Sequence, residues 1–294
     1  MQTYSVNKEK VTARILDSYR STYPDRKDDF KEITNYVRSY AIEIDNYIDL
    51  VKEIAQLSYC NPNILLFFRG QTDNYPGSSG KFSLYPSIYR SDRLTEKEKE
   101  KRFEKLDEAS HILCKVLEED AFRTMPGIKD VKRIKKIQWS LLQHYEGCET
   151  PLLDITQSIR VACSFALNNN EGTHGYVFAI ALPFTTGRIS SNSEEDITNI
   201  RLLSICPPDA LRPYFQEGYL AGTEFVLDQY ENKGELDFAN RLVAAYKIPK
   251  IGFWESPETA NTVDAVSNSL LFPDNDKLKE IMDLVRSKVN SAGL

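Results

Sequence analysis

Three groups of residues in this 294-residue chain have the types and spacing to do chemistry. The first is Arg69 with Gly70 and Gln71, directly after the apolar run Ile64–Phe68. A guanidinium at the end of a buried strand is costly without a partner. Its planar fork suits bidentate phosphate binding, and Gly70 permits close approach of a ligand or another backbone. Arg69 is therefore read either as a phosphate clamp or as half of a structural ion pair. The second group is Gln143, His144 and Tyr145, with Asp154 ten residues beyond His144 and Thr156 after it. His144 and Asp154 have the types of a base and its orienter. The competing reading makes His144 a helix-terminal cap and the Asp154–Thr156 turn a helix N-cap. The third group is Arg212, Gln216, Glu217 and Gly218, where a carboxylate facing a sugar would stabilise an oxocarbenium-like transition state.

Other chemistries are disfavoured. There is no G-x-S-x-G elbow for a serine hydrolase, and no G-x-x-x-x-G-K-[ST] or G-x-G-x-x-G phosphate loop. The five cysteines form no C-x-x-C pair and there are only three histidines, so neither a metal site nor a disulfide framework is expected. Cys163, within VACSFA, reads as a packing residue.

These side chains need elements to hold them. Ile44, Tyr47, Ile48, Val51, Ile54 and Leu57 recur at helical steps, and Ile64–Phe68 reads as a buried strand ending at Arg69. Thr95 and Glu98 form a capping box at the head of a long charged helix, with Phe103, Leu106, Ala109, Leu113, Val116 and Leu117 facing inward. Its run Glu96–Arg102 is a solvated face. Helices are expected over Ile134–His144, Gln157–Leu167, 235–247 and 276–290. Strands are expected over Gly175–Pro183, Glu224–Leu227 and Lys250–Trp254, with 184–205 a polar loop that ends in a short strand. Strands and helices mix without a βαβ rhythm, which predicts an α+β fold of small sheets with flanking helices. Residues 1–43 read as a partly helical N-terminal extension and 44–290 as the main domain.

Composition sets outer bounds. Thirty-seven Lys and Arg against 43 Asp and Glu leave a net charge of −6. That balance argues against non-specific nucleic-acid binding, and an anionic ligand would need a local arginine clamp rather than a global field. No run approaches the roughly 18 apolar residues of a spanning helix, and the polar start MQTYSVNKEK lacks a signal-peptide core. A cytoplasmic protein without a membrane partner is expected.

Taken together, the motifs resemble the FRG domain family. Phe68-Arg69-Gly70-Gln71 matches its Phe-Arg-Gly element, and SLYPSIYR (Ser83–Arg90) its L-x-P-S-x-x-R element. LQHYEGCETPLLDIT (Leu142–Thr156) is similar to its Q-H-x-G-x-x-T-P-L-L-D-x-T signature, and VACSFAL to the helix that follows. Arg212 with Gln216 and Gly218 matches R-x-x-x-Q-x-G, and LLFPDNDKL (Leu270–Leu278) the terminal F-P-D element. The motif order is similar, more distantly, to that of the ADP-ribosyltransferase superfamily. That likeness implies NAD as substrate and no metal. It assigns Arg69, Gly70 and Gln71 to the pyrophosphate or ribose, and Thr156 to the second motif. Gln216 or Glu217 takes the third motif, Asp154 joins the catalytic set, and His144, Tyr145 and Arg212 support the nucleotide. The superfamily pattern has a Glu two positions after Gln216, where this chain has Gly218.

Three functions are carried forward. The resemblance implies an NAD-dependent ADP-ribosyltransferase-like effector, a bacterial toxin or phage-defence protein, acting on an unknown macromolecular acceptor and restrained by an antitoxin or regulatory partner. The alternative is a non-enzymatic module that binds a nucleotide or a partner with the same Arg, His and Asp residues. The third reading is a purely structural network pairing Arg69 with Asp154 and using His144 as a cap.

Overall fold

The structure, a computed structural model, describes residues 1–2, 4–6, 10–77, 80–91, 94–223, 233–255 and 262–291. In chain order these form α1 (Ala13–Thr22), α2 (Phe30–Val37), β1 (Ile42–Glu43), α3 (Tyr47–Cys60) and β2 (Ile64–Gln71). Then come α4 (Glu96–Val116), α5 (Ile128–Arg133), α6 (Lys135–His144), β3 (Leu153–Thr156) and α7 (Ile159–Leu167). β4 (His174–Pro183), β5 (Ile189–Asn192) and β6 (Ile197–Arg201) follow, with α8 (Leu202–Ile205), α9 (Arg212–Phe215) and β7 (Gly218–Gly222) after them. β8 (Leu242–Pro249), α10 (Asn268–Leu271) and α11 (Lys277–Ser291) complete the set. The fold is α+β. The chain divides into two compact units, one of Met1–Leu84, Thr156–Phe184 and Asp237–Ser267, the other of Tyr85–Ile155, Thr185–Leu236 and Asn268–Leu294.

The first unit is built on strands in the order β1-β8-β4-β2. β1 runs parallel to β8, while β8–β4 and β4–β2 are antiparallel. Phe68 of β2 also pairs with Thr156, the last residue of β3. Helix α7 lies on β2 and β4, and two glycines set that approach. A Cβ at Gly70 would stand 1.8 Å from the Ala162 carbonyl oxygen, and one at Gly175 2.4 Å from that of Ala166. Ile15, Tyr19, Ile33, Leu50, Phe68, Ala162, Val177 and Tyr246 share the core. Residues 1–43 thus contribute to this core, and two arginines, Arg241 buried and Arg38 partly so, tie them down. Arg241 donates to Ala181 O and Gln2 O, and Arg38 to Tyr4 O and Asn240 O. Burial lowers the Arg38 pKa from its ordinary value.

In the second unit, α4 packs against α6 and α11. The strand order is β3-β7-β6-β5, with β7–β6 and β6–β5 antiparallel. Leu106, Leu113, Ile137, Leu142, Leu220, Ile281 and Val285 form its core. Each such burial contributes about 1.5–3 kcal/mol. Thr95 and Glu98 make the reciprocal capping box that starts α4.

Several expectations need correction. The segment expected as a helix over 235–247 is two short 3₁₀ turns, Lys233–Leu236 and Phe238–Arg241, followed by β8. β8 is an interior strand between β1 and β4, and its residues are buried in succession, so they show no alternation. Lys250–Trp254 is a turn rather than a strand, with Gly252 at φ 75°. The expected loop 184–205 holds β5, β6 and α8. β2 does not stop at Phe68; it runs on through Gln71, so Arg69 sits inside a strand opposite Phe178. The N-cap of α7 is Ser158, whose hydroxyl accepts from Val161 N, not Asp154 or Thr156. The strand expected over Glu224–Leu227 lies outside the described residues. Among the described residues no helix is long and apolar enough to cross a membrane.

Candidate functional site

Helix α6 delivers Gln143 and His144, on its last turn, to β3. His144 Nδ1 lies 3.2 Å from Asp154 Oδ1, and Gln143 Nε2 donates to Asp154 Oδ2 at 2.7 Å. A carboxylate only accepts, so Nδ1 carries the hydrogen of the first contact. Both oxygens of Asp154 are thereby held. Its side chain remains 37% exposed while that of His144 is 2% exposed, so the carboxylate is the member of the pair that meets solvent.

A second layer fixes Gln143. Its Oε1 accepts from Thr150 Oγ1 at 2.5 Å and from Ser87 Oγ at 3.2 Å. Ser87 Oγ in turn accepts from Thr150 N at 2.9 Å, and Thr150 Oγ1 accepts from Leu152 N at 3.2 Å. Ser87, Gln143, Thr150, Asp154 and His144 therefore form one connected network, drawn from a 3₁₀ turn (Ser87–Tyr89), α6, the following loop and β3. The interlocking bonds hold Gln143 and Asp154 in one geometry. His144 Nε2 is buried and has no hydrogen-bond partner among the described residues. Gly218 abuts that ring: a Cβ there would stand 3.2 Å from His144 Cε1 and 2.8 Å from Leu202 Cδ1.

Below this lies an arginine and a carboxylate that meet little or no solvent. Arg212 donates to the His144 carbonyl at 3.2 Å, and its guanidinium lies 5.1 Å from the Tyr145 ring centre and 5.0 Å from that of Phe272. Asp276 is fully buried. Its Oδ2 accepts from Leu211 N, Arg212 N and Tyr145 Oη, and its Oδ1 from Leu278 N, all at 2.8–2.9 Å. Burial, and then the nearby Asp276 charge, push the Tyr145 phenol above its ordinary range.

The residues that sequence points to fall into two sets. In the second unit, His144, Asp154, Tyr145 and Arg212 join in the arrangement above, with Gln143. Gln216 is buried, and its Nε2 donates to Leu271 O at 2.8 Å, which ties the end of α9 to α10. Glu217 is exposed on the turn between α9 and β7 and takes a left-handed φ of 44°. In the first unit, Arg69, Gly70, Gln71 and Thr156 lie on or beside β2. Thr156 is buried, and its hydroxyl accepts from Ser158 N at 3.1 Å. Gly70 serves the packing of α7. Ser87, Thr150 and Asp276 are members that sequence reasoning misses. The first two stand inside LYPSIYR and TPLLD, and Asp276 precedes α11 as a cap would. Among the described residues no group of His, Cys, Asp and Glu has the arrangement to hold a metal ion.

Compared with known families, residues 65–174 match the FRG domain. The match starts in β2 and ends at the first residue of β4. It contains Arg69, Ser87, Gln143, His144, Thr150, Asp154 and Thr156, while Arg212, Gln216, Glu217, Gly218 and Asp276 lie beyond it. Neither curated proteins nor solved structures give a match.

Proposed function

From the premise that this chain carries an FRG domain over residues 65–174, we propose that it takes NAD as substrate and transfers the ADP-ribosyl group, with the carboxylate of Asp154 stabilising the reacting ribose. The observation that supports this is the partly exposed carboxylate with both oxygens held by Gln143 and His144. NAD supplies an N-glycosidic bond that releases nicotinamide with the bonding electron pair; the ribosyl carbon, left positive, then takes an acceptor nucleophile as that acceptor loses its proton. A preorganised negative charge stabilises such a carbon without reorganising during the reaction. Gln143 and His144 are positioning residues, because they reach the ligand only through Asp154. The hydrogen bonds they donate hold its orientation.

One observation favours a second reading, in which the same carboxylate binds a nucleotide without turnover. Gly218 stands where the superfamily has a Glu, and it has no room for a side chain beside His144 and Leu202. Under that reading NAD raises the melting temperature through linkage and stays intact.

Nicotinamide release from NAD by the wild type and by Asp154→Asn decides between them. The enzymatic reading requires release that Asp154→Asn lowers by about 10²-fold or more, the scale of one electrostatic stabiliser. Thermal stabilisation by NAD without release supports binding alone. Neither effect, with candidate protein and nucleic-acid acceptors present, rejects both.

A further inference from the structure

A cleft of about 490 Å³ opens at one end of the sheet of the first unit, where Asp73, Tyr75, Asn169, Glu171, Tyr176 and Lys247 are among its lining residues. Its floor is set by strand register. Tyr176 pairs with Lys247, so the two side chains lie next to each other across β4 and β8 on one face. The Tyr176 ring is backed by Phe178, nearly parallel at 14° and 6.5 Å between centres. Tyr75 follows β2 on strained backbone with φ 39°, 56% exposed, and its hydroxyl lies 3.2 Å from Thr72 Oγ1.

The rim is built rather than loose. Asn170 is buried, and its amide nitrogen donates to Thr72 O at 3.2 Å and to Ala166 O and His174 O at 2.8 Å. Its Oδ1 accepts from Gly172 N at 2.7 Å, and the Lys250 ammonium donates to its carbonyl. With Asn170 holding the loop, its neighbour Asn169 takes φ 53° and is exposed to solvent, as is Glu171.

Charge selects the ligand class. Lys247 is the cation of the lining, and Glu43 pairs with it at 2.9 Å, while Asp73 and Glu171 add two carboxylates. A phosphate would meet repulsion here and no arginine fork. What the cleft offers instead is two tyrosine rings and an excess of acceptors. Ring C–H faces suit tyrosine, and hydroxyl donors suit carboxylate and amide oxygens.

We propose that this cleft binds an uncharged, hydroxyl-rich ring, a neutral saccharide. The site shares no residue with the Asp154 network and stands whether or not NAD is turned over.

The test is saturation-transfer NMR on the full chain with glucose, galactose, N-acetylglucosamine and their disaccharides, with inorganic phosphate as the contrasting probe, its binding read by ³¹P line broadening. Transfer to the ring protons of at least one saccharide is expected, weakened about tenfold by Tyr176→Ala and by Asp73→Asn, with no binding of phosphate. Tyr176 packs on Phe178; should Tyr176→Ala not fold, Asp73→Asn and Glu171→Gln, both at exposed positions, carry the test. Absence of transfer from every saccharide overturns the proposal. So does saccharide binding that survives the substitutions, or phosphate binding that the same substitutions alter.

Discussion

His144 and Gly218 touch across the second unit: a Cβ at 218 would stand 3.2 Å from the imidazole Cε1 and, on its other side, 2.8 Å from Leu202 Cδ1. The absence of a side chain at 218 therefore leaves the space the imidazole fills while Nδ1 reaches Asp154. Gly218→Ala forces either ring or leucine to shift, and is expected to destabilise the protein by about 1–3 kcal/mol, the range for overpacking. Urea unfolding followed by tryptophan fluorescence reads that loss. A drop in midpoint with unchanged slope would place the effect in the folded state.

Gly70 is a stricter case, because its obstacle is backbone. The Ala162 carbonyl oxygen, 1.8 Å from where a Cβ would stand, cannot turn away without breaking α7. Gly70→Ala is expected to cost more than about 3 kcal/mol, beyond ordinary overpacking. Loss of soluble folded protein, or a fall in midpoint larger than that of Gly218→Ala, is the measurable result. The glycine of the Phe-Arg-Gly element would then be a packing residue first.

Sequence was legible where one local signal decided the structure. The Thr95–Glu98 box and the inward stripe from Phe103 to Leu117 predict α4 almost to the residue. β8 misled because Leu242, Val243 and Tyr246 fit helical spacing as well as a strand buried on both faces, and only its neighbours β1 and β4 resolve that ambiguity. The candidate site divides in the same way. His144 and Asp154 are ten residues apart and could be paired on paper. Ser87 stands 56 residues from Gln143, and Asp276 131 from Tyr145, so only the folded chain shows those bonds.

Asp276 is the hub that sequence did not weigh. Its carboxylate collects four donors in a site closed to water, and each charge-assisted bond there is worth about 1.5–3 kcal/mol. Asp276→Ala removes the acceptor of Leu211 N, Arg212 N, Leu278 N and the Tyr145 hydroxyl together. The expected cost is at least about 3 kcal/mol, against about 1–2 kcal/mol for Tyr145→Phe, which removes one donor only. Chemical unfolding of both variants tests the ratio. Equal losses would show that Asp276 acts through Tyr145 alone.

Glu53 predicts a pH dependence of opposite sign to that of a salt-bridged carboxylate. Its carboxyl is buried and accepts from Thr12 Oγ1, and burial raises its pKa above the ordinary 4.5, with Thr12 and Arg14 partly opposing. The folded state thus favours the protonated form. The stability this contributes is fully present below about pH 4.5 and is lost as pH rises through the raised folded value. Glu53→Gln keeps an acceptor for Thr12 and removes the charge. The variant is expected to match the wild type near pH 4 and to melt higher at pH 7, read as the difference in melting temperature across that interval.

Glu217 separates stability from function. A non-glycine residue in the left-handed region costs about 1–2 kcal/mol, while glycine costs about 0.4–1 kcal/mol through the unfolded chain. At φ 44°, Glu217→Gly is therefore expected to stabilise the protein by about 0.5–1 kcal/mol. Its left-handed backbone makes Glu217 a candidate for function, because backbone strain gathers at functional sites. If Glu217 serves the ribosyl transfer proposed here, Glu217→Gly melts higher and releases less nicotinamide, whereas Glu217→Gln keeps the wild-type melting temperature and shares the lost release. Full release by Glu217→Gly would leave Asp154 as the carboxylate on which the chemistry rests.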